Sequence, residues 1–381
     1  MSFSLKQHFT RNLLNIPGWR TNRRIVVIES DDWGSVRMPS IEVYEKFLKA
    51  GIRVDKDPYC RYDSLATKDD LEALFEVLSS VMDSTGRRAV LTANSVVANP
   101  DFDKIKAADF TQYFFEPFTT TLKRSSRHEG VFDLWKKGIA DGVFHPQFHG
   151  REHLNVDKWL QVLREGEKAT RLAFDFETFG LTEATVPTIK NNYMGAFNSA
   201  TSDAIIYYDT ILKEGLDLFE ELFGYRSSSF IPTTYTWSPL IEPSLKKYGV
   251  DYLQGMVSQH IPLDDGNTFK YKNNNFQGKR NIFGQIYLTR NCFFEPTQCS
   301  NKIDVVDECL HRIKIAFNWG KAAVISSHRL NFIGSIDCEN RNKNLILFKD
   351  LLNRIVKYWP DVEFMSSDQL GDVMKTQKLK N

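Results

Sequence analysis

An α/β chain folded as a distorted (β/α) barrel of seven or eight parallel strands is what three features of these 381 residues predict. Short β-branched or apolar runs alternate with helix-length amphipathic stretches, which favours a parallel sheet with helices outside it. Several of the strand-like runs end in polar or charged clusters, as barrel strands do where loops build a site at one face. No glycine-rich phosphate loop follows any of them, so neither a dinucleotide nor a P-loop reading has support.

The first strand is Ile25-Val26-Val27-Ile28, preceded by Arg23-Arg24 and followed by Glu29-Ser30-Asp31-Asp32-Trp33-Gly34. Further strands are expected over 89–95, 142–148, 228–233, 250–254, 282–289, 322–327 and 362–365. Helices are expected over 69–82 with Thr67 as N-cap, and over 156–174. Others are 202–223 closed by Gly224, 241–248 closed by a glycine, 302–319 and 340–359. The stretch 263–279, with Asp264-Asp265-Gly266-Asn267, reads as a polar hairpin or loop at the rim. No repeat or linker divides the chain. It reads as an arm (1–24), one catalytic barrel domain (25–374) and a basic tail (375–381).

Forty-nine basic against 48 acidic side chains give a formal charge of +1, which leaves no global electrostatic case for nucleic acid or anionic membrane. Five cysteines without a Cys-x-x-Cys point to reduced thiols. No stretch approaches the ~18 apolar residues of a membrane span, and the N-terminus lacks the apolar centre of a secretory signal. The expected compartment is the cytoplasm. Aromatics are abundant, with 28 Phe, 14 Tyr and 7 Trp, which is compatible with stacking on sugar rings.

Chemistry concentrates in three places. Asp31 and Asp32 adjoin at a strand end, where mutual repulsion and burial make ionising both costly unless a cation lies beside them. The bland alternative is an acidic N-cap at a strand-to-helix turn. The segment Phe144-His145-Pro146-Gln147-Phe148-His149-Gly150-Arg151-Glu152-His153 holds three of the eight histidines. Four-residue spacing puts two imidazoles on one face of a helical turn, which suits a divalent metal. His328 closes a late strand, where a histidine can donate a proton near neutrality.

Together these resemble the polysaccharide deacetylase (NodB-homology) family, metal-dependent carbohydrate esterases on a distorted (β/α) barrel. The resemblance runs from about residue 25 to 330. The family's Thr-Phe-Asp-Asp-Gly appears as Glu29-Ser30-Asp31-Asp32-Trp33-Gly34, its His-x-x-x-His as His145 and His149, and its Leu-x-x-His as Ile325-Ser326-Ser327-His328. The resemblance implies Asp31 as general base, His328 as general acid, and Asp32, His145 and His149 as metal ligands. His153 is the spare, expected to support the ligands or face the substrate rather than bind the ion. Zinc is the expected ion, with Fe, Co, Ni or Mn accepted by the same set. The family's Arg-x-Pro-Tyr is degraded to Phe230-Ile231-Pro232-Thr233. Thr233 would supply an oxyanion-binding N–H, and Arg151, Arg290 or Arg329 would replace the missing arginine. Trp33 and Arg151 are further substrate-side candidates. The implied activity is removal of acyl groups, acetyl foremost, from a carbohydrate by metal-activated water. Competing readings are a glycoside hydrolase using Asp175, Glu177 or Glu295 as a second carboxylate, another metal-dependent hydrolase or lyase, and a glycan-binding relative without catalysis.

Overall fold

The computed structural model describes residues 5–189, 193–263, 268–299 and 303–377. Positions 264–267 of the expected hairpin or loop, the Lys302 start expected for one helix and the end of the tail (378–381) lie outside the described residues. One sheet dominates, and all of its pairings are parallel. Its strands are β1 (Arg24–Trp33), β2 (Leu91–Val96), β3 (Phe144–Gly150), β4 (Ser229–Phe230), β5 (Tyr252–Gly255), β6 (Ile286–Thr289), β7 (Cys292–Phe293), β8 (Ala323–His328) and β9 (Val362–Met365). The spatial order is β6-β5-β4-β3-β2-β1-β8-β7, and β9 pairs with the first half of β1.

The two edges of this order are joined by only Arg290 and Asn291. Arg290 N–H still donates to Gly255 O on the β5 side (2.9 Å), while Asn291 N–H already donates to Val324 O on the β8 side (3.2 Å). One interrupted strand therefore serves both edges, and the sheet curls into the expected barrel. Counting β6 and β7 as its halves gives eight strands; the sequence reading ended this strand at Thr289 and missed β7.

Alternation along β1 sorts its side chains. Val26 and Ile28 face the helix layer, packing among residues of the helices Lys68–Ser79, Val305–Asn318 and Cys338–Tyr358. Ile25 and Val27 face the barrel interior with Leu288, Val324 and Met365. Leu370 and Met374 of the helix Ser367–Thr376 join this interior cluster and plug the N-terminal end of the barrel. Above that apolar floor the inward positions of β1 become Glu29 and then Asp31.

Most expected elements form near their predicted bounds. Thr67 caps its helix with a full capping box, and Ser202–Phe223 ends on Gly224 in the left-handed conformation. The helix expected over 156–174 is two, Val156–Arg164 and Lys168–Asp175, because the chain turns at Gly166 with φ +76°. The rim stretch is an antiparallel hairpin, Ser258–Pro262 with Phe269–Asn273. Two helices not anticipated, Ile41–Lys49 and Pro58–Tyr62, follow β1. The second brings Asp57 and Tyr59 over the barrel mouth. No described helix is long and apolar enough to cross a membrane, and all five cysteines are free.

Candidate active site

The C-terminal ends of β1, β3 and β8 and the turn after β4 surround a cleft of about 300 Å³. Asp31, Asp32, His149, His153 and His328 line it, together with Arg37, Asp57, Tyr59, Thr182, Met194, Thr234 and Tyr235.

The neighbouring carboxylates take different partners because the backbone turns between them. Asp31 continues the strand and pairs in register with His328 of β8. Asp32 has φ +75°, a left-handed conformation uncommon for a non-glycine residue, and the β1–β2 register shifts there. That break resets the inward–outward alternation. Asp32 thereby reaches the cleft, and Trp33 swings out to pack edge-on against Trp135 and Phe144, its indole N–H donating to Ser30 Oγ (3.0 Å). Trp33 is thus a core residue and is absent from the cleft, contrary to its assignment beside the substrate. The N-cap reading of the acid pair also fails, since the next helix is capped by Ser40.

Asp31 is gripped by Arg290, whose Nη2 lies 2.6 Å from Oδ1 and Nη1 2.7 Å from Oδ2. Asn94 Nδ2 adds a 2.8 Å bond to Oδ1. Burial pushes the Asp31 carboxyl up, but the charge and hydrogen bonds of Arg290 outweigh it and hold the group at about 2. Arg290 also donates to Glu29 (2.5 Å) and to the Tyr235 hydroxyl (2.7 Å). Of the three arginines considered, Arg290 is the one on Asp31. Arg329 pairs bidentately with Asp63 (2.9 and 3.0 Å). Arg151 is bound to Glu152 (2.6 Å), Glu214 and Tyr207, over the Phe115 ring and outside the cleft lining. Its expected role beside the substrate is not supported.

Asp32 Oδ1 lies 3.6 Å from His149 Nε2 and 3.3 Å from His153 Nε2. These spacings are long for hydrogen bonds. They suit donor atoms around a shared ion, because bonds of ~2.0–2.1 Å at tetrahedral angles set ligands ~3.3–3.4 Å apart. The three residues form a buried group able to hold a metal ion. His149 Nδ1 bonds Ile231 O (2.9 Å), which places the proton there and leaves Nε2 free to ligate. Burial drives His153 well below the usual histidine range, so its ring is neutral, as a ligand must be.

His145 is not among them. It is the second residue of β3, at the opposite end of the strand from His149, and its Nε2 lies 3.0 Å from Asp368 Oδ2 and from Gln147 Nε2. Its ring stacks on Tyr225. The reason is geometric: residues four apart in an extended strand are separated by ~13 Å, not by one helical turn. The spacing that works is His149-x-x-x-His153, which straddles the strand end. Gly150, with φ +120°, turns the chain so that His153 folds back until the two rings are 5.1 Å apart.

His328 Nδ1 lies 2.6 Å from Glu295 Oε1, and Nε2 lies 3.8 Å from Asp31 Oδ2 across the cleft. Burial lowers the His328 pKa, but Glu295 more than offsets it, and the group rises to about 9. Asn331 Nδ2 holds the other oxygen of Glu295 at 2.8 Å. Glu295, weighed from sequence only as a glycosidase carboxylate, is the acid that partners His328. Thr233 is buried, with Oγ1 accepting from Ala196 N–H (2.9 Å). It supports the turn whose next two residues, Thr234 and Tyr235, both carry φ +57° at the cleft wall. Consecutive left-handed residues, one of them β-branched, mark a strained turn held in place by its surroundings.

No known family profile and no curated protein matches the chain. Solved structures to which it is similar at low identity include the following three. PuuE allantoinase is 11% identical, over 94% of this chain and 93% of that one, at a TM-score of 0.43. The 4-alpha-glucanotransferase of Thermococcus litoralis is 10% identical over 91% of this chain at 0.43, and this chain spans 40% of its length. A polysaccharide deacetylase from Bacillus cereus is 11% identical over 70% of this chain and 63% of that one, at 0.29.

Proposed function

We propose that the chain is a divergent metal-dependent hydrolase of the polysaccharide deacetylase kind, removing acyl groups, acetyl foremost, from a carbohydrate. The observation that carries this reading is the arrangement at the barrel mouth: a buried Asp32–His149–His153 donor set flanked by Asp31 on one side and His328 on the other. The donor chemistry fits a divalent ion, since one carboxylate and two imidazoles would leave positions for water and substrate. Zinc is the ion proposed.

Asp31 remains ionised at every working pH and is aimed by Arg290, so it can accept a proton from an attacking water. A carboxylate at about 2 is too weak a base for ordinary water. Asp32, His149 and His153 would hold the divalent ion that narrows this gap: when bound, it would lower a water pKa from ~15.7 toward ~7 and polarise the acyl carbonyl. His328 is protonated at neutral pH, its Nδ1–H is fixed by Glu295, and its Nε2–H faces the cleft to protonate the departing amine or alcohol. The cleft of about 300 Å³ suits one or two sugar units at the point of reaction.

The test is acetate release from N- and O-acetylated sugars by the purified chain, before and after chelation and with zinc restored. Release that stops on chelation and returns with zinc is expected. Full release after complete metal removal, or none from any acylated sugar with zinc bound, would count against the reading.

A further inference from the structure

Among the described residues of the cleft lining, Arg37 is a cation with donors left over after its pairing with Asp32. Arg37 lines the cleft wall yet is only 7% exposed. A guanidinium carries five N–H donors and cannot shed its charge. Among the described residues, Nη1 donates to the Met194 sulfur (3.1 Å), a weak acceptor. Nη2 is 3.2 Å from Asp32 Oδ1, the same oxygen that faces both ligand histidines. Nε, itself buried, has no hydrogen-bond partner among the described residues; the Asp63 carboxylate is 3.7 Å away and already bound bidentately by Arg329. Burying a guanidinium this poorly satisfied is costly unless a further acceptor arrives.

The residue is also held rigid. Tyr59 packs 5.3 Å from the guanidinium carbon, and Thr178 Oγ1 donates to the Arg37 carbonyl (2.8 Å). Arg37 lines the cleft, and its two Nη groups, which meet only a thioether and one shared carboxylate oxygen among the described residues, match an anion with two coplanar oxygens.

We propose that Arg37 is a specificity-determining residue that binds a carboxylate on the sugar, making acidic acylated carbohydrates the substrate class. This rests on the hydrolase reading for the reaction itself, although the anion site is testable without turnover. Asp32 would share its carboxylate with an ion held there, which would leave Arg37 in greater need of the substrate's oxygens. Charge-assisted hydrogen bonds of this kind correspond to ~10- to 100-fold in affinity.

The experiment compares glucuronate with glucose, which differ at one carboxylate, by calorimetric titration into the zinc-loaded full chain. Glucuronate is expected to bind at least ~10-fold tighter, and Arg37→Gln to bring the two close to equal with zinc content unchanged. Equal binding of both sugars by the parent protein overturns the proposal. So does a preference retained in Arg37→Gln, which would place the carboxylate on the metal instead. Should Arg37→Gln fail to fold or to hold zinc, Arg37→Lys, which keeps the charge and loses the fork, must still reduce the preference. Acetate release from neutral sugars without any glucuronate preference would sink this inference and leave the hydrolase reading standing. A glucuronate preference that depends on Arg37, with no acyl hydrolysis, would do the reverse.

Discussion

The two ends of β3 carry the same residue type and put it to different uses. At the N-terminal end His145 is partly exposed, pairs with one carboxylate and stacks on one ring, near a floor of Leu370 and Met374. At the C-terminal end His149 is buried, its tautomer set by a carbonyl, with Asp32 and His153 converging on its free nitrogen. Composition cannot tell these histidines apart. What separates them is where the strand stops: a residue at the mouth gains neighbours from every loop, whereas one at the floor meets a plugging helix. Chemistry gathers at the mouth because the backbone there is free to break pattern, at Asp32, Gly150 and the Thr234–Tyr235 turn.

That contrast can be broken first at the mouth. Asp31→Asn keeps the shape and should lower acyl release by ~10²–10⁴, the range for losing a positioned base, while zinc content stays near that of the parent. Metal loss in this variant would mean that Asp31, not Asp32 alone, belongs to the ligand set.

One layer down, Arg290 holds the mouth to the floor by binding Asp31 and Glu29 at once. Arg290→Met strands two buried carboxylates. Chemical denaturation should show a loss of about 3–5 kcal/mol, eased where Glu29, already raised by burial, takes up a proton. A change under about 1 kcal/mol would show that the network contributes little to folding.

The His328–Glu295 pair sharpens the comparison through pH. His328 rises from 6.5 to about 9 in the fold, so its contribution to stability is complete below pH 6.5 and is lost as pH climbs through 9. Melting temperatures of the parent should therefore fall across that window, and those of Glu295→Gln should be flatter. The alkaline limb of the activity profile should move to lower pH in the same variant. An unshifted limb would remove His328 from the role of acid.

The smallest effect belongs to the floor. His145→Ala breaks a partly exposed pair and should cost at most about 1 kcal/mol in denaturation, with hydrolysis close to that of the parent.

The barrel was legible because period and punctuation agree over long stretches, as at Ser202–Phe223 and Val362–Met365. The site was legible in type but not in register. Phe144 to His149 contains a proline that admits a helical turn, and the two overlapping His-x-x-x-His spacings look equivalent in one dimension. Gly150 was the available signal, since a glycine after His149 marks the strand end that a converging pair must straddle. Trp33 misled because alternation along β1 is reset at Asp32, and a left-handed aspartate leaves no trace in composition. Arg290 and Glu295 flank β7, a two-residue strand too short to carry a pattern. Arg37 went unremarked because its isolation is a property of burial, which appears only when the loops close over the cleft.

The central claim is that the ion belongs to His149 and His153 rather than to His145, and elemental analysis of two variants prepared side by side tests it most directly. His153→Ala should lose most of its zinc and its acyl-releasing activity, and His145→Ala should keep about one equivalent and its turnover. The opposite pattern, with zinc retained in His153→Ala and lost in His145→Ala, would contradict the account.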